Sequence, residues 1–178
     1  MTFDREEVET GFRTYWQLGA VNEDWDTWCD TCFTDDVTYI EHILGNKQGR
    51  ETVREWIKPT MADYGEIYTA YEWHMIDETG RAVVYMQNRR DNPEPGAPPI
   101  DFPGMTVLQY AGNGQFSREE DFWSLPEGTA TFKEYVDQCK KFDPDFRHKR
   151  TRRNWGKGPD WTRGASTYED SAGAKKHA

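Results

Sequence analysis

DWDTWCDTCFTDDVTYIEHILGNKQGRETVREWI, residues 24–57, is the stretch that decides the fold. Asp24 can cap a short helix carrying Trp25, Trp28, Cys32 and Phe33. A strand runs from Val37 to Leu44, entered through Asp35-Asp36 and stopped by Gly45-Asn46. A helix from about Arg50 to Tyr64 then sets Val53, Trp56, Ile57 and Met61 on one face. The strand bears three groups able to move protons: Tyr39, Glu41 and His42. Alternation puts Tyr39 and Glu41 on one face and Thr38, Ile40 and His42 on the other. A slip of one residue exchanges those faces, so Glu41 and His42 are competing candidates for one acid–base role.

The flanks extend the pattern. Residues 4–19 carry Val8, Phe12, Tyr15 and Trp16 at helical spacing behind an acidic first turn, and Gly19 suits the helix end. After the second helix the period changes to two. Strands are expected at Ile67–Asp77, Ala82–Asn88, Met105–Ala111 and Gln115–Ser124. Their turns are Glu78-Thr79-Gly80 and Gly112-Asn113-Gly114, and a proline-rich loop fills 92–99. A last helix spans roughly Ala130 to Phe142. This order predicts an α+β domain over residues 1–142, with a curved antiparallel sheet wrapped around helices. Residues 143–178 form a basic, tryptophan-containing tail, disordered near its end. Trp155 and Trp161 should pack on the body or on a neighbouring subunit.

Composition narrows the function. The chain has 26 aromatic residues but only 18 Leu, Ile and Val, which suits a cavity for flat ligands. The net charge of −10 divides unevenly: the tail carries nine Lys and Arg against five Asp and Glu, leaving the body at −14. A body so acidic repels phosphate backbones, so nucleic acid is not an expected partner despite the HKRTRR run at 148–153. No apolar run is long enough for a membrane span or a signal peptide, and a cytoplasmic protein is expected. Cys29 and Cys32 form a CxxC pair without a second ligand pair, and read as buried helix thiols. No metal cluster or phosphate-cradling glycine motif is present, so an enzyme here is expected to work without a cofactor.

Other candidates lie on the later strands. In YEWHM, 71–75, alternation assigns Tyr71, Trp73 and Met75 to an aromatic wall and Glu72 with His74 to the outside. Tyr85, Gln87 and Arg89 alternate with Met86, Asn88 and Arg90; an arginine there can hold a ligand's anionic oxygen or pair with Asp91 or Asp101. Asp101 itself can line a rim or an ordinary turn. Arg118-Glu119-Glu120-Asp121-Phe122-Trp123 places three acids at the start of an aromatic strand, so at least one points inward. Asp121 shares a face with Trp123. It can pair with an arginine, or with Glu41 as one of two carboxyls with separated pKa values.

The order of elements, with FTDDVTYIEH at 33–42 and YAGNGQF at 110–116, resembles the NTF2-like superfamily over about residues 4–142. That group includes SnoaL-like cyclases, steroid isomerase and scytalone dehydratase. The resemblance implies a cone-shaped barrel with one deep pocket, commonly in dimers or trimers. It also implies Glu41 as the general base, with Tyr39 beside it and Tyr15 or Trp16 in the place of a tyrosine donor. Thr106 falls where the isomerase has a protonated aspartate, and Asn22 where related dehydratases have a helix-one aspartate. These departures argue against simple steroid isomerisation or lindane-type elimination.

Within that group the aromatic richness and the tail resemble cofactorless γ-formaldehyde lyases that act on lignin-derived diaryl compounds. The resemblance implies a catalytic set of Glu41, Tyr39, His42, Asp121 and Tyr15. The implied substrate contacts are Trp16, Asn22, Trp73, Tyr85, Arg90, Asp101, Thr106 and Trp123. A dehydratase, isomerase or cyclase of polyketides or steroids, or a binding module without catalysis, remain alternative expectations.

Overall fold

The computed structural model describes residues 2–164. The expected disordered end near 171–178 lies outside the described residues.

Helix α1, Arg5–Trp16, starts where the Asp4 carboxylate accepts from the Glu6 and Glu7 backbone N–H groups at 2.8 and 3.1 Å. It buries Val8, Phe12, Tyr15 and Trp16. The helix does not stop at Gly19 but widens into a π-turn over Gln17–Val21. Gly19 serves packing instead: a Cβ there would sit 2.7 Å from Trp28 Nε1. Helix α2, Trp25–Cys32, follows, with Asp24 accepting from Thr27 N. It buries both cysteines, and burial pushes both thiols up to about 12.

Strand β1, Phe33–Glu41, begins four residues earlier than expected, because Phe33 leaves the helix to pair with Phe116. The two-residue β2, Lys47–Gln48, leads into α3, Arg50–Asp63. Strands β3, Tyr68–Ile76; β4, Arg81–Arg90; β5, Ile100–Gly112; and β6, Gln115–Trp123, complete one sheet ordered β2-β1-β6-β5-β4-β3. β5 starts five residues early and includes Pro103. That proline lies just past the last β6 rung, Gly104↔Trp123, where its missing N–H need not break the β5–β6 ladder. The sheet corrects two expectations. It is mixed, because β1 runs parallel to β6, and it is an open curved sheet rather than a closed barrel. Helix α4, Leu125–Phe142, also starts early, as Ser124 accepts from Glu127 N ahead of Pro126. The Ser124-x-x-Glu127 spacing is a helix-start signal in the sequence itself.

β3 carries the largest reversal. Its register shifts between Tyr71↔Met86 and Trp73↔Tyr85, so Glu72 is an extra residue. The bulge exchanges faces within the strand. Tyr71 stays buried, while Trp73 and Met75 turn out to solvent, 44% and 58% exposed. His74 turns inward instead, tilted against Phe12 with ring centroids 4.3 Å apart and bonded to Tyr71 Oη and Glu9 at 2.8 Å each.

The segment after α4 lies on the body. Trp155 packs on Tyr68, and Trp161 on Tyr71 and Phe12. Buried Asp91 accepts from Tyr68 Oη, Thr151 Oγ1 and Arg153 N at 2.8, 2.5 and 2.7 Å. Arg152 pairs with buried Glu23, and Arg150 reaches the same carboxylate at 3.1 Å. Part of the basic run is therefore spent inside this protein's own fold. Among the described residues no helix is long and apolar enough to cross a membrane.

Candidate functional site

The concave face of the sheet, closed by α1, α2, α3 and α4, encloses a cavity of about 440 Å³, within the range that holds small organic ligands. Trp16, Trp25, Trp28, Trp56 and Trp123 contribute to its walls. Its polar floor comes from the parallel pairing of β1 with β6. There Tyr39 stands beside Glu119 and Glu41 beside Asp121. Period two turns all four side chains to the cavity.

Each carboxyl is held differently. Asp121 accepts from Tyr39 Oη at 2.5 Å and from Thr106 Oγ1 at 2.5 Å. Burial pushes its pKa up to about 6, against the pull of those two donors. Glu119 accepts from Tyr15 Oη at 2.7 Å, and its Oε2 is buried with no hydrogen-bond partner. Burial, and then the charge of Asp121, hold Glu119 well above the usual carboxylate range. Glu41 is spent on the β1 terminus: it accepts from Ile43 N at 3.2 Å, Leu44 N at 2.5 Å and Trp123 Nε1 at 3.0 Å. Burial also raises Tyr15 and Tyr39 well above the usual phenol value, so both act as donors in their neutral form.

The structure brings Glu41, Tyr39, Asp121, Tyr15, Trp16, Arg90, Thr106 and Trp123 to this one cavity. It leaves five expected site residues outside. His42 faces away, half exposed, bonded to Glu120 at 2.9 Å and tilted over Phe122, because β1 keeps the register that turns Glu41 inward. Trp73 and Tyr85 stack on each other at 5.4 Å on the opposite sheet face, through the β3 bulge. Asp101 is taken by Arg89, with contacts of 2.6 to 3.1 Å. Asn22 is off the cavity wall and accepts from Gln17 Nε2.

Glu119 is the residue that sequence reading missed. Period two from Asp121 marks it, since two of three consecutive acids share a face when the outer ones point inward. Glu120, the middle acid, points out to His42 and Arg118. The arginine of that segment, Arg118, goes to Glu120 rather than to Asp121.

An open α+β sheet folded over helices, here around an aromatic cavity with carboxyls on its floor, is the architecture of the NTF2-like superfamily. Residues 12–119 match the family model of the SnoaL-like domain, and the chain belongs to that family. No curated protein sequence matches it. Among solved structures, SalBIII is similar, described as an epoxide hydrolase/cyclase-like enzyme in pyran ring formation in polyether salinomycin. Its TM-score is 0.56 at 16% identity, covering 70% of this chain and 95% of that one. TerC, crystallised with polyporic acid, matches with a TM-score of 0.53 at 15% identity, covering 74% and 98%. A protein of ketosteroid isomerase-like fold from Catenulispora acidiphila, in complex with trimethylamine, gives 0.50 at 20%, covering 75% and 92%. At these identities the likeness is one of fold.

Proposed function

We propose that this protein is a cofactor-independent acid–base enzyme for hydroxylated aromatic small molecules, and specifically a lyase that releases formaldehyde from a diaryl propanediol. The observation that carries the reading is the Glu119–Asp121 pair. Two carboxyls on one strand face sit in environments that set them apart, Glu119 held by burial well above the usual carboxylate range and Asp121 raised to about 6. Such a pair supplies an acid and a base in a single cavity.

The proposed reaction uses both. Asp121 takes the proton of the terminal alcohol. The oxygen's electrons form the carbonyl of formaldehyde as the carbon–carbon bond breaks, and that bond's electrons form the new alkene. The benzylic hydroxyl leaves as water with the proton of Glu119. Formaldehyde, water and a stilbene are the products, and the proton on Asp121 returns to Glu119 through solvent. Tyr39 and Thr106 hold Asp121 in place, and the tryptophan walls accept two aromatic rings.

Family membership supports a second reading, a cyclase or dehydratase acting on a polyketide-like ring with the same pair. One assay separates them: purified protein is given a diaryl propanediol, and formaldehyde and the conjugated stilbene absorbance are followed together. Equal release of both supports the lyase. A dehydrated or cyclised product without a one-carbon fragment supports the second reading. A substrate panel left untouched would remove both.

A further inference from the structure

Arg90 ends the inward row Met86–Asn88–Arg90 of β4, and all three residues line the cavity. It is the single basic side chain among the described residues lining that cavity, against four acids: Glu23, Glu41, Glu119 and Asp121. The residue is 4% exposed. Its one ion pair is loose, Nε to Glu66 Oε1 at 3.7 Å, and Nε and Nη1 are buried without any hydrogen-bond acceptor. The rings of Phe132 and Tyr135 lie 5.4 and 5.7 Å from its guanidinium carbon. Two buried guanidinium nitrogens without acceptors are costly, and Glu66 answers the charge only loosely, so Arg90 favours an anionic partner admitted by the cavity it lines.

Position adds the second half of the argument. Asp121 pairs across the sheet with Thr106, and Thr106 with Val84. Arg90 lies six residues further along β4, on the order of 20 Å of strand path. Acid–base groups and cation thus lie well apart along the strands that line one cavity. An anion near Asp121 would be repelled; at Arg90 it meets a planar donor fork matched to two oxygens.

We propose that Arg90 is an anion subsite, and that the ligand of this cavity is an elongated aromatic molecule bearing a carboxylate or phenolate oxygen at the end remote from Asp121. The proposal deepens the function given above and rests on it only for which end of the molecule reacts; binding at Arg90 stands or falls alone. Glu66 competes with the ligand for the guanidinium, so its charge tunes the subsite.

Binding of biphenyl-4-carboxylate and its neutral isostere biphenyl-4-carboxamide, followed by quenching of the cavity tryptophans at neutral pH, tests this directly. The carboxylate should bind about tenfold or more tighter than the amide. Arg90→Gln should erase that preference while Arg90→Lys keeps part of it, and Glu66→Gln should enhance it. Comparing 4-phenylphenol with 4-methoxybiphenyl, below and above the phenol's pKa, separates a phenolate source from a carboxylate one. Equal binding of charged and neutral probes by the native protein would overturn the proposal even if Arg90→Gln failed to fold. A preference surviving in folded Arg90→Gln would overturn it as well. Anion preference without formaldehyde release would remove the lyase and leave the subsite; release without anion preference would do the reverse.

Discussion

The phenol of Tyr39 on β1 donates to the carboxylate of Asp121 on β6 at 2.5 Å, across 82 positions of chain. The bond exists because β1 and β6 run parallel with Glu41 opposite Asp121, which brings the tyrosine two residues earlier within reach of the same carboxylate. It holds a group poised near neutrality in one orientation, as a general base requires.

Asp121→Asn keeps the shape and the acceptor for Tyr39 but cannot take a proton. Turnover should fall on the order of 10²–10⁴-fold, with substrate affinity within a few-fold of native. Steady-state kinetics check this, and turnover within threefold of native would remove Asp121 as the base.

Stability should depend on the same group. A carboxyl whose folded pKa is about 6 against an ordinary 3.8 binds more protons folded than unfolded between those values. Its contribution to stability is therefore greatest below about pH 4 and is lost as pH rises through about 6. Urea unfolding of native protein and Asp121→Asn across pH 4–7 should show native stability falling relative to the variant over that interval.

Glu119→Gln removes the proposed acid but leaves an oxygen to accept from Tyr15. Turnover should drop on the order of 10²-fold or more. The alkaline fall in the native pH–rate profile should vanish with it, while the acidic limb set by Asp121 remains. A variant that kept the alkaline limb would assign it to another group.

Glu41 and His42 should separate cleanly. Glu41→Gln weakens the three-donor cradle at the β1 terminus and should cost about 1–3 kcal/mol of stability, with a smaller loss of turnover than Asp121→Asn. His42→Ala, on the outer face, should leave turnover unchanged and shift stability by no more than about 0.5 kcal/mol. Thermal melts and kinetics on the two variants provide the comparison.

Gly19→Ala should destabilise by roughly 1–3 kcal/mol, because the added methyl would meet the Trp28 indole nitrogen at 2.7 Å with the indole already packed against Tyr15, Trp25 and Phe33. A melting temperature equal to native would show that the π-turn yields freely.

Much of this was legible locally. Alternation along β1 put Tyr39 and Glu41 together and His42 opposite, and the same rule linked Asp121 to Trp123. It failed on β3, where the extra residue Glu72 reverses the strand, so Trp73 and Tyr85 stack outside and His74 turns in. A bulge has no signature in a pattern of alternating aromatics. Glu119, two residues before Asp121, lies on the same face by that rule, but only its burial against Tyr15, a contact across 104 positions, makes it an acid of the site.

The order of helices and strands, the aromatic supply and which residues of β1 and β6 share a face follow from the sequence by itself, since helical and strand periods are properties of adjacent residues; which face of β1 turns inward, Glu41's or His42's, does not. The parallel pairing that joins β1 to β6 was decided only in three dimensions. So were the open edge of the sheet, the burial that sets Glu119 and Asp121 apart, and the unmet guanidinium of Arg90. Each depends on groups far apart in the chain, and a carboxyl's protonation or an arginine's lack of partners is set by what surrounds it after folding.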